Sequence, residues 1–127
     1  MNAKKEVLIF SNDEYHPEKN NGSDMSPLVF FLINEIGCQD NTNVLSKIEN
    51  WLRNLKDQSI TLNVTYLEKD GALVLLGSNT FDFFVEIERD NFIKVLNDWK
   101  RVAKQKPKKI VISRKNDTFI LEGYDQE

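Results

Sequence analysis

The 127-residue sequence contains one cysteine, Cys38, and one histidine, His16. A single thiol cannot form an internal disulfide, and a zinc site would need several cysteine or histidine ligands at close spacing. The five glycines are scattered along the chain, so no glycine-rich loop is present to cradle a phosphate. The sequence therefore excludes disulfide-stapled domains and the zinc-binding and nucleotide-binding classes that such motifs define.

Long hydrophobic runs are also missing. The first ten residues, MNAKKEVLIF, pass from polar residues to only four apolar ones, which is shorter than a signal peptide or a membrane helix requires. A secreted domain of this size would also not usually leave its one thiol unpaired. We therefore expect a cytoplasmic protein without membrane association, and nothing in the sequence indicates a cofactor.

What the chain does contain is material for one hydrophobic core. Apolar residues make up 40% of the sequence and include eight phenylalanines and two tryptophans, so a single domain over residues 1–127 can bury a core without staples. The formal net charge of −3 is unevenly placed. Residues 1–99 hold 9 Lys and Arg against 16 Asp and Glu, whereas residues 100–127 hold 8 against 4. This balance suits either a basic protein partner or an acidic polymer.

The N-terminal third predicts a strand, a long loop and a helix. Val7–Phe10 is a short apolar run typical of a strand. Residues 12–25 show no periodicity and many turn formers, and a loop of this length is usually functional or disordered. Ser26 is a suitable N-cap with Pro27 at the first helical position, and Gly37 ends the predicted helix.

The spacing of apolar residues changes in the middle of the chain from a helical period to a strand period. Residues 43–55 predict a second helix with one apolar stripe, formed by Val44, Leu45, Ile48, Trp51, Leu52 and Leu55. From residue 60 the period is two, which places Ile60, Leu62, Val64 and Tyr66 on one face of a strand. Asp70-Gly71 then predicts a tight hairpin, because its turn requires positive φ angles.

A third strand, a helix and a closing hairpin follow. In residues 80–88 the apolar side chains of Phe81, Phe83, Val85 and Ile87 alternate with Asp82, Phe84, Glu86 and Glu88. Asp90 begins a predicted helix that ends before Pro107 and has an apolar side formed by Phe92, Ile93, Leu96, Trp99, Val102 and Ala103. Asn116-Asp117 predicts the last turn, with Ile110, Ile112, Phe119 and Leu121 on one face. The expected fold is α+β, an antiparallel sheet of five to six strands with about three helices mainly on one face.

The segment KRVAKQKPKK, residues 100–109, holds six positive charges in ten residues. Its first charges fall in the last helical turn, where cations complement the helix dipole. No aromatic residue lies between Trp99 and Phe119 to stack on a base. We interpret the segment as a solvated helix end and do not expect nucleic acid to be a partner, although a nucleic-acid-binding regulator using residues 100–115 is the alternative function.

Candidate catalytic residues are few, and we do not expect an enzyme. Asp82, Glu86 and Glu88 on one strand face could bind a cation or act as acid and base, but acids alternating with apolar residues are typical of any half-exposed strand. His16 could shuttle protons, yet a lone loop histidine is more often neither ligand nor catalyst. A small enzyme centred on these groups is a third hypothesis.

Acidic residues mixed with aromatic ones point instead to a protein partner. Charge accelerates encounter with a basic surface, and aromatic anchors hold the complex. The candidate contact residues are Asp13, Glu14, Tyr15 and Glu18 in the loop, and Asp82, Phe84, Glu86 and Glu88 on the third strand. The same residues would also keep a protein in solution, so both a partner-binding surface and a merely solvated surface are consistent with the sequence.

Residues 80–123, TFDFFVEIERDNFIKVLNDWKRVAKQKPKKIVISRKNDTFILEG, carry a resemblance. This acidic apolar strand, the helix through LNDW, the Lys/Pro connection and the final hairpin resemble small immunity proteins of bacterial contact-dependent inhibition and polymorphic toxin systems. The resemblance covers about a third of the chain. It implies a non-catalytic cytoplasmic inhibitor that neutralises a cognate toxin, commonly a basic nuclease. We expect the protein to be a monomer or weak dimer that covers the active site of this toxin. Contacts in such families vary with the toxin, so the resemblance assigns no contact residue.

Overall fold

The computed structural model describes residues 4–18, 25–37, 42–54, 56–116 and 118–125. Its helices are α1 (Ser26–Phe31), which continues as a π-helical turn over Leu32–Ile36, α2 (Thr42–Arg53) and α3 (Arg89–Lys104). Its strands are β1 (Lys4–Ser11), β2 (Glu14–Pro17), β3 (Ser59–Thr61), β4 (Thr65–Asp70), β5 (Leu73–Ser78), β6 (Val85–Glu88), β7 (Lys109–Lys115) and β8 (Thr118–Tyr124). Cys38 and Leu55 lie outside the described residues.

The strands form two four-stranded antiparallel sheets, in the orders β2-β1-β7-β8 and β3-β4-β5-β6. The α+β class is therefore as predicted, but the strands are divided between two sheets where one sheet of five to six was expected. The division arises because β1 pairs with β7, from the other end of the chain, with Val7 opposite Val111. Strand periodicity predicts the faces of each strand but does not identify a partner so distant in sequence.

The loop predicted over residues 12–25 is wrong in its first part, which is a hairpin. Asn12 and Asp13 both have positive φ, at 55° and 66°, as a type I′ turn requires. Chain reversal there allows β2 to pair with β1, with Tyr15 opposite Phe10. Residues 19–24 of the predicted loop lie outside the described residues.

The two predicted hairpins are confirmed. Gly71, with φ of +61°, takes the first loop position between the paired residues Asp70 and Leu73, so the two-residue loop is shifted by one position from the predicted pair. In the closing hairpin Asn116 has φ of 57° and the β7–β8 pairing runs up to Lys115 and Thr118. The face predicted for this hairpin is buried, namely Ile110, Ile112, Phe119 and Leu121.

The first two helices also follow the sequence pattern. Met25 occupies the N-cap in place of the predicted Ser26, which shifts Pro27 one position into the helix, and Gly37 ends the segment with φ of 68°. The predicted stripe of α2 faces inward, with Val44 half-buried and Leu45, Ile48, Trp51 and Leu52 buried.

The predicted continuous strand from residue 60 to 66 is interrupted. The chain bends between β3 and β4, so Thr65 is buried while Val64 and Tyr66, expected on the core face, are exposed. The bend has a specific cause, because the carboxylate of Glu35 accepts hydrogen bonds from consecutive backbone N–H groups at Asn63, Val64 and Thr65. Strand alternation therefore restarts out of phase after the bend.

Three further corrections concern the third predicted strand and the helix α3. Only Val85–Glu88 forms a strand, so Phe81–Phe84 precede it in a bend and Phe83 is 44% exposed. In α3 the N-cap is Glu88, and Asp90 lies in the first turn. Val95 is buried on the core side of this helix, whereas Ile93, which was predicted there, is exposed.

One buried cluster connects the two ends of the chain through Trp99 and Tyr15. The Trp99 indole is fully buried, and its Nε1–H donates to the carbonyl oxygen of Gly37 at 2.8 Å. Its ring lies edge-on to the Tyr15 ring at 5.8 Å. The Tyr15 hydroxyl donates to the carbonyl oxygen of Pro107 at 2.6 Å. These contacts link β2 to α3 and to the segment that leads into β7.

Candidate partner-binding site

The eight predicted contact residues do not share one environment. Seven are exposed, namely Asp13, Glu14, Glu18, Asp82, Phe84, Glu86 and Glu88. Tyr15 is the exception, since it is 2% exposed and packs on Phe10 with ring centroids 5.0 Å apart. Tyr15 is therefore a core residue and not the exposed aromatic side chain that was expected, while its contact with a partner stays a prediction. The strand alternation of β2 points it inward while Glu14 and His16 remain exposed.

A groove of about 400 Å³ lies between β2, α1 and the bend that precedes β6. We call it the aromatic groove. It is lined by Glu6, Glu14, Tyr15, His16, Pro17, Ser26, Val29, Phe30, Ile33, Asn34 and Phe81. The groove thus brings Glu14, from the first predicted acidic surface, next to the bend that holds Asp82 and Phe84 of the second.

Aromatic rings connect the groove to the exposed bend. Phe30 of α1 meets Phe81 edge-on, with ring centroids 5.6 Å apart. Phe81 in turn contacts Phe83 at 5.8 Å. Phe83 and the neighbouring Phe84 are 44% and 49% exposed, an unusual position for large apolar rings. The bend therefore presents two exposed aromatic side chains, and one of them, Phe83, is connected to the groove and to α1 through Phe81.

The charged groups that line the aromatic groove are acidic. Glu6 and Glu14 contribute carboxylates, and none of the described residues that line it is a lysine or an arginine. His16 Nε2 lies 3.2 Å from the carbonyl oxygen of Ser11. Because a carbonyl oxygen only accepts hydrogen bonds, this contact requires the proton to be on Nε2. The groove thus combines an apolar, aromatic floor with negative charge.

The strand-face site predicted at Asp82, Glu86 and Glu88 is divided by the structure. Asp82 lies in the bend, whereas Glu86 and Glu88 extend from β6 on the side opposite the buried Val85 and Ile87. None of these three carboxylates lines the aromatic groove, and neither do Asp13 and Glu18. Of the predicted residues only Glu14 belongs to it as an exposed group.

Several residues that form the groove were missed at the level of sequence. These are Glu6, Val29, Phe30, Ile33 and Phe81. One signal was present in the run from Leu28 to Ile33, which is apolar on all sides of a short helix and so must have more than one apolar neighbour. The identity of the second neighbour, Phe81, depends on tertiary packing.

The basic segment is spread over a helix, a connection and a strand. Arg101 pairs with Asp98 at 3.3 Å on the surface of α3. Farther along, Lys109 lies over the ring of Tyr124 at 5.8 Å and Arg114 lies over the ring of Phe119 at 5.3 Å. Three cations of residues 100–115 therefore contact groups of the protein itself.

Neither a metal-binding cluster nor a membrane-spanning helix is found among the described residues. No three His, Cys, Asp or Glu side chains are grouped there so that they could hold a metal ion together. None of the helices in that part of the chain has the length and apolar character needed to cross a bilayer. No protein-family model, curated protein or solved structure matches the chain.

Proposed function

We propose that this protein is an immunity protein that neutralises a cognate bacterial toxin, a nuclease, by binding over its active site. The observation that carries the proposal is the pair of exposed rings, Phe83 and Phe84, beside a groove lined by Glu6 and Glu14. Exposed aromatic side chains next to carboxylates are the composition of a protein-binding surface for a basic partner.

The two kinds of group have different roles in this proposal. Aromatic rings supply most of the affinity, because they bury large areas and lose little side-chain entropy. Carboxylates complement the Lys and Arg side chains of a nuclease active site, which speeds association and selects the partner. A polynucleotide would be repelled by the same carboxylates, so the toxin's active site is a better match for this surface than its substrate.

Preorganisation also supports the proposal. The ring of Phe83 contacts Phe81, and the ring of Phe81 contacts Phe30 of α1. These contacts hold the bend against the helix in the unbound protein. A braced surface loses less conformational entropy on binding than a free loop does. This matters for an immunity protein, which has to bind tightly at low concentration.

Co-expression with the protein encoded immediately upstream tests the proposal. Growth is measured with the upstream protein alone and with both proteins, and the complex is isolated by affinity pull-down. We expect toxicity from the upstream protein, rescue by this chain and a stable complex. Absence of toxicity together with absence of a complex would contradict the immunity proposal.

Matched variants then locate the contact surface. Replacing Phe83 and Phe84 together with alanine should weaken the complex roughly thirtyfold or more, the scale of a loss of central anchors. The control is Ile120→Ala on β8, which removes a similarly exposed apolar side chain, 39% exposed, from the other sheet. Equal affinities for the double variant and the control would place the contact surface elsewhere.

A further inference from the structure

A second groove of about 400 Å³ lies between α2 and α3. We call it the interhelical groove. It is lined by Glu49, Leu52 and Arg53 of α2 and by Arg89, Ile93, Leu96 and Asn97 of α3. None of these residues lines the aromatic groove, so the two sites are separate.

One arginine of this groove, Arg89, has a hydrogen-bond donor that is not used within the described residues. The Nε of Arg89 is buried and has no hydrogen-bond partner among the described residues. Within the part of the chain that the structure describes, neither Arg53 nor Arg89 forms an ion pair with Glu49. A buried guanidinium N–H without an acceptor is costly, because desolvation is not repaid by a hydrogen bond. Arg89 also lines the groove, so its guanidinium group has donor capacity beside a ligand bound there.

The floor of the interhelical groove is apolar. Leu52 and Leu96 are buried, and Ile93 is 38% exposed although its helical spacing predicted it to be in the core. An exposed isoleucine between two helices, in the same groove as the Arg89 guanidinium, is an apolar surface that the fold leaves uncovered. The groove therefore offers an apolar wall and cationic donors to the same ligand.

We propose that the interhelical groove binds a small organic carboxylate with an apolar body. The guanidinium groups of Arg89 and Arg53 would bind the carboxylate, for which the planar donor fork is well suited. The apolar body would cover Ile93. The volume lies within the range of roughly 300–1,000 Å³ that is usual for small-ligand sites.

Charge restricts the ligand to a single carboxylate. Two arginines and Glu49 leave a net charge of +1 among the lining residues. A second negative charge on the ligand would meet Glu49 without a further cation to balance it. This site is independent of the proposed inhibitory function, since it shares no lining residue with the aromatic groove.

Isothermal titration calorimetry with three eight-carbon probes tests the ligand class. Octanoate, octan-1-ol and octylammonium share an apolar body and differ in charge. We expect octanoate to bind most tightly, octan-1-ol more weakly and octylammonium weakest of all. An equal affinity for octanoate and octan-1-ol would show that the arginines do not recognise the carboxylate and would overturn the proposal.

Variants assign the binding to the groove. Arg89→Gln and Arg53→Gln should each weaken octanoate binding roughly tenfold or more, the scale of a charge-assisted hydrogen bond. Glu49→Gln should strengthen it, because it removes the one like charge. The matched controls are Lys47→Gln on α2 and Lys104→Gln on α3, two exposed cations outside the groove lining, which should leave the affinity unchanged.

The outcomes separate folding effects from binding effects. Arg53 is exposed, so its variant should fold normally even if Arg89→Gln does not. Circular dichroism and octan-1-ol binding report whether each variant retains the folded groove. If folded Arg53→Gln and Arg89→Gln both bind octanoate as the wild type does, or if Glu49→Gln weakens binding, the proposal is wrong. Phe83→Ala should have no effect, which distinguishes this site from the aromatic groove.

Discussion

The carboxylate of Glu35 accepts hydrogen bonds from both the backbone N–H of Thr65, at 2.9 Å, and the Thr65 hydroxyl group. Both residues are buried, at 3% and 2% exposure. The same carboxylate also accepts from the N–H groups of Asn63 and Val64, at 3.2 and 3.1 Å. A single side chain from the π-helical turn thus holds the bend between β3 and β4 and determines the phase of β4.

Glu35→Gln should destabilise the fold strongly. An amide has one acceptor oxygen where the carboxylate has two, and its NH₂ group would face backbone donors. We expect a loss of about 3 kcal/mol in the free energy of unfolding, measured by urea titration, since a charge-assisted hydrogen bond is lost and buried donors are left unpaired. Glu68→Gln, at an exposed position on β4, is the control and should change stability by less than about 0.5 kcal/mol. Similar losses in both variants would contradict this assignment.

Tyr15→Phe separates a core role from a contact role. Removing the hydroxyl leaves the Pro107 carbonyl oxygen without this donor. We expect a loss of about 1 kcal/mol in stability, typical of one buried hydrogen bond. Affinity for the protein partner should stay the same, because the hydroxyl that is removed is buried and hydrogen-bonded to Pro107. Tyr66→Phe, with its ring 38% exposed, is the control for the removal of a hydroxyl and should be close to neutral.

Two strand glycines are predicted to differ in their tolerance of alanine. A Cβ at Gly123 would lie 2.8 Å from Cγ of Pro107 and 3.1 Å from Cγ1 of Val102, and both neighbours are buried. A Cβ at Gly77 would instead meet the end of the Tyr66 side chain, which can turn toward solvent. Gly123→Ala should therefore cost about 1–3 kcal/mol of stability, the usual range for overpacking. Gly77→Ala should cost less, and thermal unfolding of both variants checks the order.

The sequence predicted a hairpin turn only where the strands on both sides of the turn were apolar. Asn116-Asp117 predicted a hairpin because Ile112 and Phe119 flank it in alternating segments. Asn12-Asp13 is the same dipeptide and was missed, because the following strand is short and largely polar. Its single buried residue, Tyr15, obtains its environment from Trp99 and Pro107, which are more than eighty positions away.

The candidate site was less predictable than the fold. Glu14 was identified from charge, but the groove also needs Glu6, Phe30 and Phe81, which come from three separate elements. Alternation alone predicted Phe81 and Phe83 on the core face of a strand. The ring of Phe30 provides Phe81 with a tertiary partner outside any sheet, and the strand begins only at Val85. No periodic pattern in one segment contains that information.

Charge reversal at two places distinguishes the aromatic groove from the face of β6 as the toxin-binding surface. We expect Glu14→Lys to weaken the complex with the toxin by about 1.4 kcal/mol or more, roughly tenfold, since it places a cation opposite the partner's cations. Glu86→Lys combined with Glu88→Lys alters two exposed acids outside the groove lining and should have a smaller effect. Association rates measured by surface plasmon resonance at low and high salt supply the check, because an electrostatic contribution is screened by salt. A larger loss of affinity for the β6 variant would show that the contact surface is on that strand. The free energy of unfolding, measured in parallel, should change little in either variant.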